Sequence, residues 1–190
     1  MGTIADEVKK CIEVMRAGGV ILYPTDTVWG IGCDATNADA VKKVFEIKRR
    51  CDSKAMLLLV DSADRLARYV GSVPAVAWDL IELSDKPLTI IYDGARNLAP
   101  NLIAEDGSIG IRVTNELFSK ELCYRFQKAV VSTSANISGE PAAKRLKEVA
   151  EEIINGVDYV VNPRFEGKPT LKPSSIIAFG EGGEVEIIRS

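Results

Sequence analysis

The chain has 190 residues, of which 46% are hydrophobic and 27% are charged, and these proportions exclude a disordered chain. Its 24 Lys and Arg residues against 27 Asp and Glu residues give a net charge of −3, which excludes a generally basic nucleic-acid-binding protein but not a local basic patch. Histidine is absent, so Ser-His-Asp and Cys-His nucleophile systems and His-containing zinc sites are excluded as well.

Cysteine spacing and hydropathy indicate the compartment. The four cysteines are Cys11, Cys33, Cys51 and Cys123, and no two lie two to four residues apart, which excludes a zinc knuckle or a redox Cys-x-x-Cys motif. The longest aliphatic runs hold about five residues, far fewer than the ~20 that a membrane span needs. The first residues enter a helical pattern directly, so we expect no signal peptide. We therefore expect a cytoplasmic protein with free thiols and no membrane association, a disulfide pair being the alternative.

Apolar spacing and turn residues predict the elements in chain order. Thr3 and Asp6 form a capping-box-like start to a helix at 3–17, which ends at Gly18-Gly19. The interleaving of helices and strands predicts one α/β domain, residues 1–190, with a twisted mixed sheet, because the final hairpin disfavours a purely parallel one. The other predicted elements are a strand at 20–23, a helix from Asn37 to about Arg49, a strand at 56–60, helices at 62–70 and 74–83, strands at 88–92 and 109–113, a helix from Asn115 to about Gln127, a strand at 129–132, a helix at 144–155, a strand at 157–161 and a hairpin of 175–179 with 184–189.

The segment from Tyr23 to Gly32, YPTDTVWGIG, follows the first predicted strand. Pro24 ends the strand, two threonine hydroxyls flank Asp26, and two glycines permit a close approach to the backbone. Proteins of the α/β class hold ligands in loops at strand ends, so this segment is a candidate binding loop. A polar turn capped by its own side chains is an equally weighted interpretation.

Four cations occur within seven residues at 48–54, KRRCDSK. Cations stabilise a helix C-terminus, but four exceed what capping requires in an acidic protein. No aromatic residue is interleaved, which argues against stacking on single-stranded nucleic acid, and the spacing of a Walker A loop is absent. A compact polyanion such as a triphosphate fits this segment best, and a solvated charged face is the alternative.

Two further polar features accompany apolar strands. Residues 132–141, STSANISGEP, cluster hydroxyls, an amide and backbone N–H groups that suit a phosphate or a base edge, or else form a hydroxyl-rich turn. Arg112 lies inside the apolar strand SIGIRV. A buried arginine needs a partner, which an anionic ligand or an internal glutamate could supply.

Five motifs together resemble the YrdC family. They are PTDTVWGIGCDA, KRR followed by K, SIGIRV, STSANISG and PSSII, in that order, and the resemblance covers residues 10–189. It implies a twisted α/β sheet that encloses a deep, positively lined, concave cavity. It also implies nucleotidyl transfer, in which L-threonine, bicarbonate or carbon dioxide, and ATP with Mg²⁺ give threonylcarbamoyl-AMP and pyrophosphate. Downstream partner proteins would use this product for the threonylcarbamoyl modification of tRNA.

The resemblance also implies roles for single positions. Lys48 and Arg50 match a pair on ATP and would neutralise the triphosphate during transfer, with no metal ligand supplied by side chains. Arg112 matches an arginine on the threonine carboxylate. The residues expected to bind ATP are Lys48, Arg50, Lys54, Ser108, Ser134, Asn136 and Arg189, and those expected to bind threonine are Thr25, Arg112, Ser132 and Ser174.

Three features depart from the family pattern. Leu59 stands where some relatives have histidine, the segment at 84–89 lacks the usual Trp and Gly, and the chain ends at Ser190 without the extra domain of longer relatives.

Two alternative functions stay open. One is a YrdC-like protein that binds tRNA or double-stranded RNA, which the acidic composition disfavours. The other is a family member without synthase activity, which the intact K-x-R and S-x-N motifs disfavour.

Overall fold

The computed structural model describes residues 2–50, 56–180 and 183–190. These residues form helices and strands that alternate along the chain, with 3-10 turns at Ala63–Arg65, Pro100–Leu102, Leu146–Glu148 and Pro163–Phe165. The helices are α1 (Ile4–Arg16), α2 (Ala38–Ile47), α3 (Leu66–Tyr69), α4 (Ala75–Leu83), α5 (Leu117–Phe126) and α6 (Glu151–Gly156). The strands are β1 (Ile21–Tyr23), β2 (Gly30–Gly32), β3 (Leu57–Val60), β4 (Leu88–Tyr92), β5 (Ile109–Val113), β6 (Val130–Ser134), β7 (Tyr159–Val160), β8 (Ser175–Phe179) and β9 (Val185–Arg189).

The strands form one mixed sheet in the order β7-β1-β2-β6-β3-β5-β4-β8-β9. The pairs β1–β7, β3–β5 and β4–β8 are parallel, and the other five are antiparallel. The predicted fold class, an α/β fold with a mixed sheet, is therefore confirmed. Strands that are distant in sequence, such as β2 and β6, become neighbours, which brings the polar segments that follow β1 and β6 together.

Helices α1 and α5 pack against the sheet, at strands β1 and β3 respectively. The capping box of Thr3 and Asp6 begins α1, whose buried face packs against α5, and the Asn37 side chain accepts hydrogen bonds from the first turn of α2. On β5, Ile109 and Ile111 are almost fully buried in the core beneath these helices. Because side chains alternate across a strand, the residues between them face the opposite side of the sheet.

The structure corrects three predicted elements. Residues 30–32, predicted as part of a loop, form β2, because Gly32 leaves room for the Tyr23 ring, which a Cβ would approach to 2.6 Å. Helix α5 begins at Leu117 with Glu116 rather than Asn115 as its cap, since the Glu116 carboxylate accepts from two backbone N–H groups of the first turn. The helix predicted at 144–155 is replaced by α6 at 151–156, because the backbone is extended at 149–150 and the helix begins only after it.

The expectation of free thiols is confirmed for three cysteines. Cys11, Cys33 and Cys123 are reduced and buried, and Cys51 lies outside the described residues. Burial raises the pKa of the Cys11 thiol to about 12, so it is protonated at neutral pH. Among the described helices, none has the length and hydropathy needed to cross a membrane.

Candidate active site

A cavity of about 410 Å³ opens on the face of the sheet opposite the helix-covered core. Alternate residues of the central strands line it, including Gly110 and Arg112 of β5, Ser132 and Ser134 of β6, and Thr89 of β4. The loop between β1 and β2, residues 24–29, closes one side. The volume is within the range of ~300–1,000 Å³ that is typical of small-molecule sites.

The cavity is cationic although the chain is slightly acidic. Its charged lining residues, within the described part of the chain, are the three arginines Arg50, Arg112 and Arg189, and no carboxylate joins them. The remaining polar lining consists of hydroxyls, which donate and accept hydrogen bonds without adding charge. These hydroxyls belong to Thr25, Thr27, Thr89, Ser108, Ser132, Thr133, Ser134 and Ser174. Such a lining suits small ligands that carry negative charge.

Arg112 has an internal partner, and that partner is an aspartate. Its NH2 atom lies 2.9 Å from Oδ1 of Asp26, and both side chains are largely buried. The pair is not aligned as a hydrogen bond, and Nε of Arg112 has no hydrogen-bond partner among the described residues. The sequence-based alternative of an internal glutamate is thus wrong in residue type. The guanidinium still lines the cavity, and its Nε is free of hydrogen bonds to the described residues.

Two opposing effects act on the pKa of the Asp26 carboxyl. Burial raises this pKa, and the charge of Arg112 acts in the opposite direction. The charge of Arg112 therefore helps to keep the buried carboxyl of Asp26 ionised.

Lys48 lies behind the cavity wall. The residue is 2% exposed, and its ammonium group donates to the carbonyl oxygens of Ser134 and, at 2.7 Å, Asn136. Its own carbonyl accepts from the backbone N–H of Ser138. Burial, with a smaller effect from the charge of Arg50, lowers the pKa of Lys48 to about 8. Lys48 therefore fastens the end of α2 to the turn that follows β6.

In the turn after β6, Ser134 lines the cavity, whereas the side chain of Asn136 bonds within the turn and does not line the cavity. The Asn136 side-chain amide donates to the carbonyl oxygens of Ile137 and Glu140, and its Oδ1 is buried without a hydrogen-bond partner among the described residues. The backbone N–H of Ala135 donates to the carbonyl of Trp29, which joins this turn to the β1–β2 loop. Asn136 thus shapes the turn, and its predicted contact with ATP stays a prediction.

The C-terminal strand completes the cavity through Arg189. Its guanidinium donates to the carbonyl oxygen of Ser174 from Nε and NH2, at 3.0 and 2.8 Å. The Ser174 hydroxyl lies 2.8 Å from that of Thr89. The guanidinium groups of Arg112 and Arg189 both line the cavity, and burial together with the nearby charge of Arg112 lowers the pKa of Arg189.

The threonine hydroxyls of the β1–β2 loop organise that loop. Thr25 Oγ1 donates to the carbonyl of Val28 at 2.6 Å and lies 3.1 Å from Thr27 Oγ1. Thr27 and Thr89 were not predicted as site residues. The alternation of side chains along β4, with Thr89 two residues from Ile91, is the signal that could have found Thr89.

Most of the predicted site residues meet in the cavity. Lys48 and Asn136 support the wall from behind, and Lys54 lies outside the described residues. The predicted site residues that line the cavity are Thr25, Arg50, Ser108, Arg112, Ser132, Ser134, Ser174 and Arg189. Their individual roles stay predictions.

The described residues offer no metal-binding group. Three or more His, Cys, Asp or Glu side chains do not converge anywhere in that part of the chain. A hydroxyl and guanidinium lining does not fit a resident divalent cation, which prefers carboxylate oxygens.

The fold and the cavity define an α/β protein with one face of its sheet built for small anionic ligands. Residues 13–190 match the protein family described as Sua5_yciO_yrdC, Telomere recombination. The chain therefore belongs to the Sua5/YciO/YrdC family, which confirms the resemblance stated from the motifs.

Individual relatives cover nearly the whole chain. The threonylcarbamoyl-AMP synthase of Halorhodospira halophila (strain DSM 244 / SL1) is 35% identical over 173 residues, 89% of this chain and 90% of that protein. E. coli YciO has a TM-score of 0.84 at 22% identity, covering 100% of this chain and 91% of that one. P. abyssi Sua5 complexed with L-threonine has a TM-score of 0.87 at 22% identity, and this chain covers 53% of it, about half its length.

Proposed function

We propose that this protein is an L-threonylcarbamoyladenylate synthase, a nucleotidyltransferase that makes threonylcarbamoyl-AMP and pyrophosphate from L-threonine, bicarbonate or carbon dioxide, and ATP. Its family and its 35% identity to a protein named for this activity support the proposal. The structural observation that carries it is the placement of Arg50 and Arg112 in one hydroxyl-lined cavity, whose lining in the described part of the chain includes no carboxylate.

Two subsites follow from the positions of these arginines. Arg50 lies beside β6, where its NH1 atom is 3.5 Å from the Thr133 hydroxyl, next to the turn that Lys48 fastens. We assign the ATP phosphates to this end. Arg112 lies on β5 and lines the cavity together with Thr25, and we assign the threonine carboxylate to this end. A guanidinium can hold a carboxylate with two parallel hydrogen bonds, which leaves the threonine amine free to react.

The chemistry needs positioning and neutralisation rather than a general base. The neutral threonine amine adds to carbon dioxide and releases one proton to solvent, or reacts with bicarbonate and releases water. The resulting carbamate oxygen is anionic and attacks the α-phosphorus of ATP. The bond between the α-phosphorus and the bridging oxygen breaks, and pyrophosphate leaves with that electron pair. Arg50 and the charge of Lys48 stabilise the negative charge that develops on the leaving group. A chain without histidine can catalyse this reaction.

Magnesium belongs in this proposal as part of the nucleotide substrate. We expect Mg²⁺ to arrive bound to the ATP phosphates and to neutralise part of their charge. The protein's own contribution is then made by arginine, lysine and hydroxyl groups, in agreement with the lining of the cavity.

The proposal extends to the cellular setting. We expect the product to be taken up by tRNA-modification partner proteins in the cytoplasm. Direct binding of tRNA or double-stranded RNA, and a family member without synthase activity, are the alternatives.

Pyrophosphate release from ATP tests the proposal. The purified protein is supplied with ATP and Mg²⁺, and L-threonine or bicarbonate is omitted in turn. We expect release only when both are present, with L-serine as the matched amino acid control giving a much lower rate. Equal release with serine, or with no amino acid, would show that the substrate assignment is wrong. A gel shift with tRNA in the absence of ATP tests the RNA-binding alternative.

A further inference from the structure

Asp26 lies at the partition between two cavities. A second cavity of about 380 Å³ is lined by Asp26 together with residues from 84–87, 113–117 and 167–170. Arg112 lines the candidate active site but not the second cavity, and Asp26 lines the second cavity but not the active site. The ion pair of 2.9 Å between them therefore crosses the partition, with Asp26 behind the guanidinium as seen from the active site.

The backbone that carries Asp26 is fixed on both sides. The N–H of Thr170 donates to the Asp26 carbonyl at 2.9 Å, and the N–H of Leu171 donates to the Thr27 carbonyl at 3.0 Å. Thr25, on the other side of Asp26, is tied to Val28 through its hydroxyl. The carboxylate thus extends from an anchored loop and not from a free one.

We propose that Asp26 is a positioning residue for the amino-acid subsite: it holds the Arg112 guanidinium from the side away from the substrate and joins the β1–β2 loop to β5. This inference rests on the proposed function, because it takes the carboxylate of threonine as the ligand of Arg112. In this proposal Asp26 does not touch the substrate and acts only through Arg112.

Two opposing effects follow when Asp26 loses its charge. The cavity becomes more positive, which would strengthen the attraction for a carboxylate. The Arg112 guanidinium also loses its only ion-pair partner among the described residues. Because an unpaired charge is costly to bury, the guanidinium then reorients towards solvent. The second effect dominates here, since a two-bond clamp depends on the plane of the guanidinium group, which the ion pair with Asp26 fixes from behind. We therefore expect weaker threonine binding.

Asp26→Asn and a matched control separate positioning from general destabilisation. Asn keeps the shape of the side chain and removes the charge. The control is Asp34→Asn, because Asp34 is also a buried carboxylate in an ion pair, 2.8 Å from the ammonium of Lys128, but does not line the cavity. Asp26→Glu is the second variant; it keeps the charge and moves the carboxylate by one methylene group, which makes a folded protein available if Asp26→Asn does not fold.

The measurements are the KM values for threonine and ATP, kcat, the dissociation constant of threonine by calorimetry, and the melting temperature. For Asp26→Asn we expect the threonine KM to rise about tenfold, with the ATP KM within about twofold and kcat largely kept. Asp26→Glu should show the same selective rise at a melting temperature near that of the wild type. Asp34→Asn should lower the melting temperature without changing either KM.

The results distinguish a failure of this inference from a failure of the proposed function. An unchanged or lower threonine KM in both Asp26 variants would overturn it, as would an equal rise in Asp34→Asn. A wild-type protein that neither binds threonine nor releases pyrophosphate in its presence would overturn the proposed function and this inference together. A threonine-dependent wild type with unchanged Asp26 variants would overturn the inference alone.

Discussion

Replacement of Lys48 by methionine tests how the wall of the ATP subsite is held. Methionine keeps most of the buried volume of the side chain and removes the ammonium group. Two charge-assisted hydrogen bonds to carbonyl oxygens disappear, worth about 1.5–3 kcal/mol each. The Ser134 carbonyl keeps one donor, the N–H of Asn136, whereas the Asn136 carbonyl loses its bond to Lys48.

The loss is partly offset because the charge of Lys48 is itself costly to bury. Burial lowers its pKa from 10.5 to about 8, which corresponds to about 3 kcal/mol against the charged form at neutral pH. The net loss of stability is therefore about 0–3 kcal/mol, and the melting temperature should fall by no more than roughly 10 °C in a chain of this size. The ATP KM should rise much more clearly, about 10–100-fold, because a positive charge near the phosphates and the shape of the turn are lost together.

Steady-state kinetics with ATP as the varied substrate, together with a thermal melt, measure both quantities. Lys128→Met is the matched control, since the Lys128 ammonium pairs with Asp34, is about half exposed and does not line the cavity. It should leave the ATP KM unchanged. A wild-type ATP KM in folded Lys48→Met would refute the reasoning and leave Lys48 a purely structural residue.

Three further predictions concern the cations of the site. The value of kcat/KM for ATP should fall above about pH 8, because Lys48 then loses its proton. In Lys48→Arg the guanidinium stays protonated, so this fall should disappear. A wild-type profile that is flat to pH 9 would contradict the prediction. Arg112→Lys keeps the charge but loses the fork, so the threonine KM should rise about tenfold while the ATP KM stays constant, and a loss of melting temperature alone would favour an internal ion pair as its only role. Arg189, which the resemblance assigns to ATP, donates to the carbonyl of Ser174, which it assigns to threonine. Arg189→Gln removes these charge-assisted bonds and should therefore raise the threonine KM, but less than Arg112→Lys does; a larger rise in the same kinetics would contradict that order.

The fold class and most elements could be predicted from the sequence because they depend on local patterns. The capping box at Thr3 and the cap at Asn37 fix two helix starts within a few residues of chain. The strand β2 could not be predicted in this way, because Gly30 and Gly32 indicate a loop locally. What makes them a strand is the packing of Tyr23 and the pairing with β6, a hundred residues away.

In the candidate site, too, local patterns predict individual residues but not the contacts between segments that are distant in sequence. The motifs predicted eight residues that line the cavity. Seven of them lie inside a strand or within two residues of one, and the eighth, Arg50, follows α2. They did not predict that Lys48 faces backbone carbonyls, because this contact depends on how the end of α2 meets the turn after β6. For Arg112 the sequence indicates an anionic ligand or an internal glutamate as the partner, whereas the loop after β1 brings Asp26 to it.

Isotope labelling of the product tests the central claim most directly. The wild-type protein is incubated with ATP, Mg²⁺, L-threonine and ¹³C-bicarbonate, and the adenylate is identified by mass spectrometry. If Arg112 holds the threonine carboxylate, the carbamate is the group that attacks the α-phosphorus, and the account predicts an adenylate that contains threonine and one ¹³C atom. An adenylate of threonine without the label would mean that the carboxylate of the amino acid reacts instead, and would contradict the account.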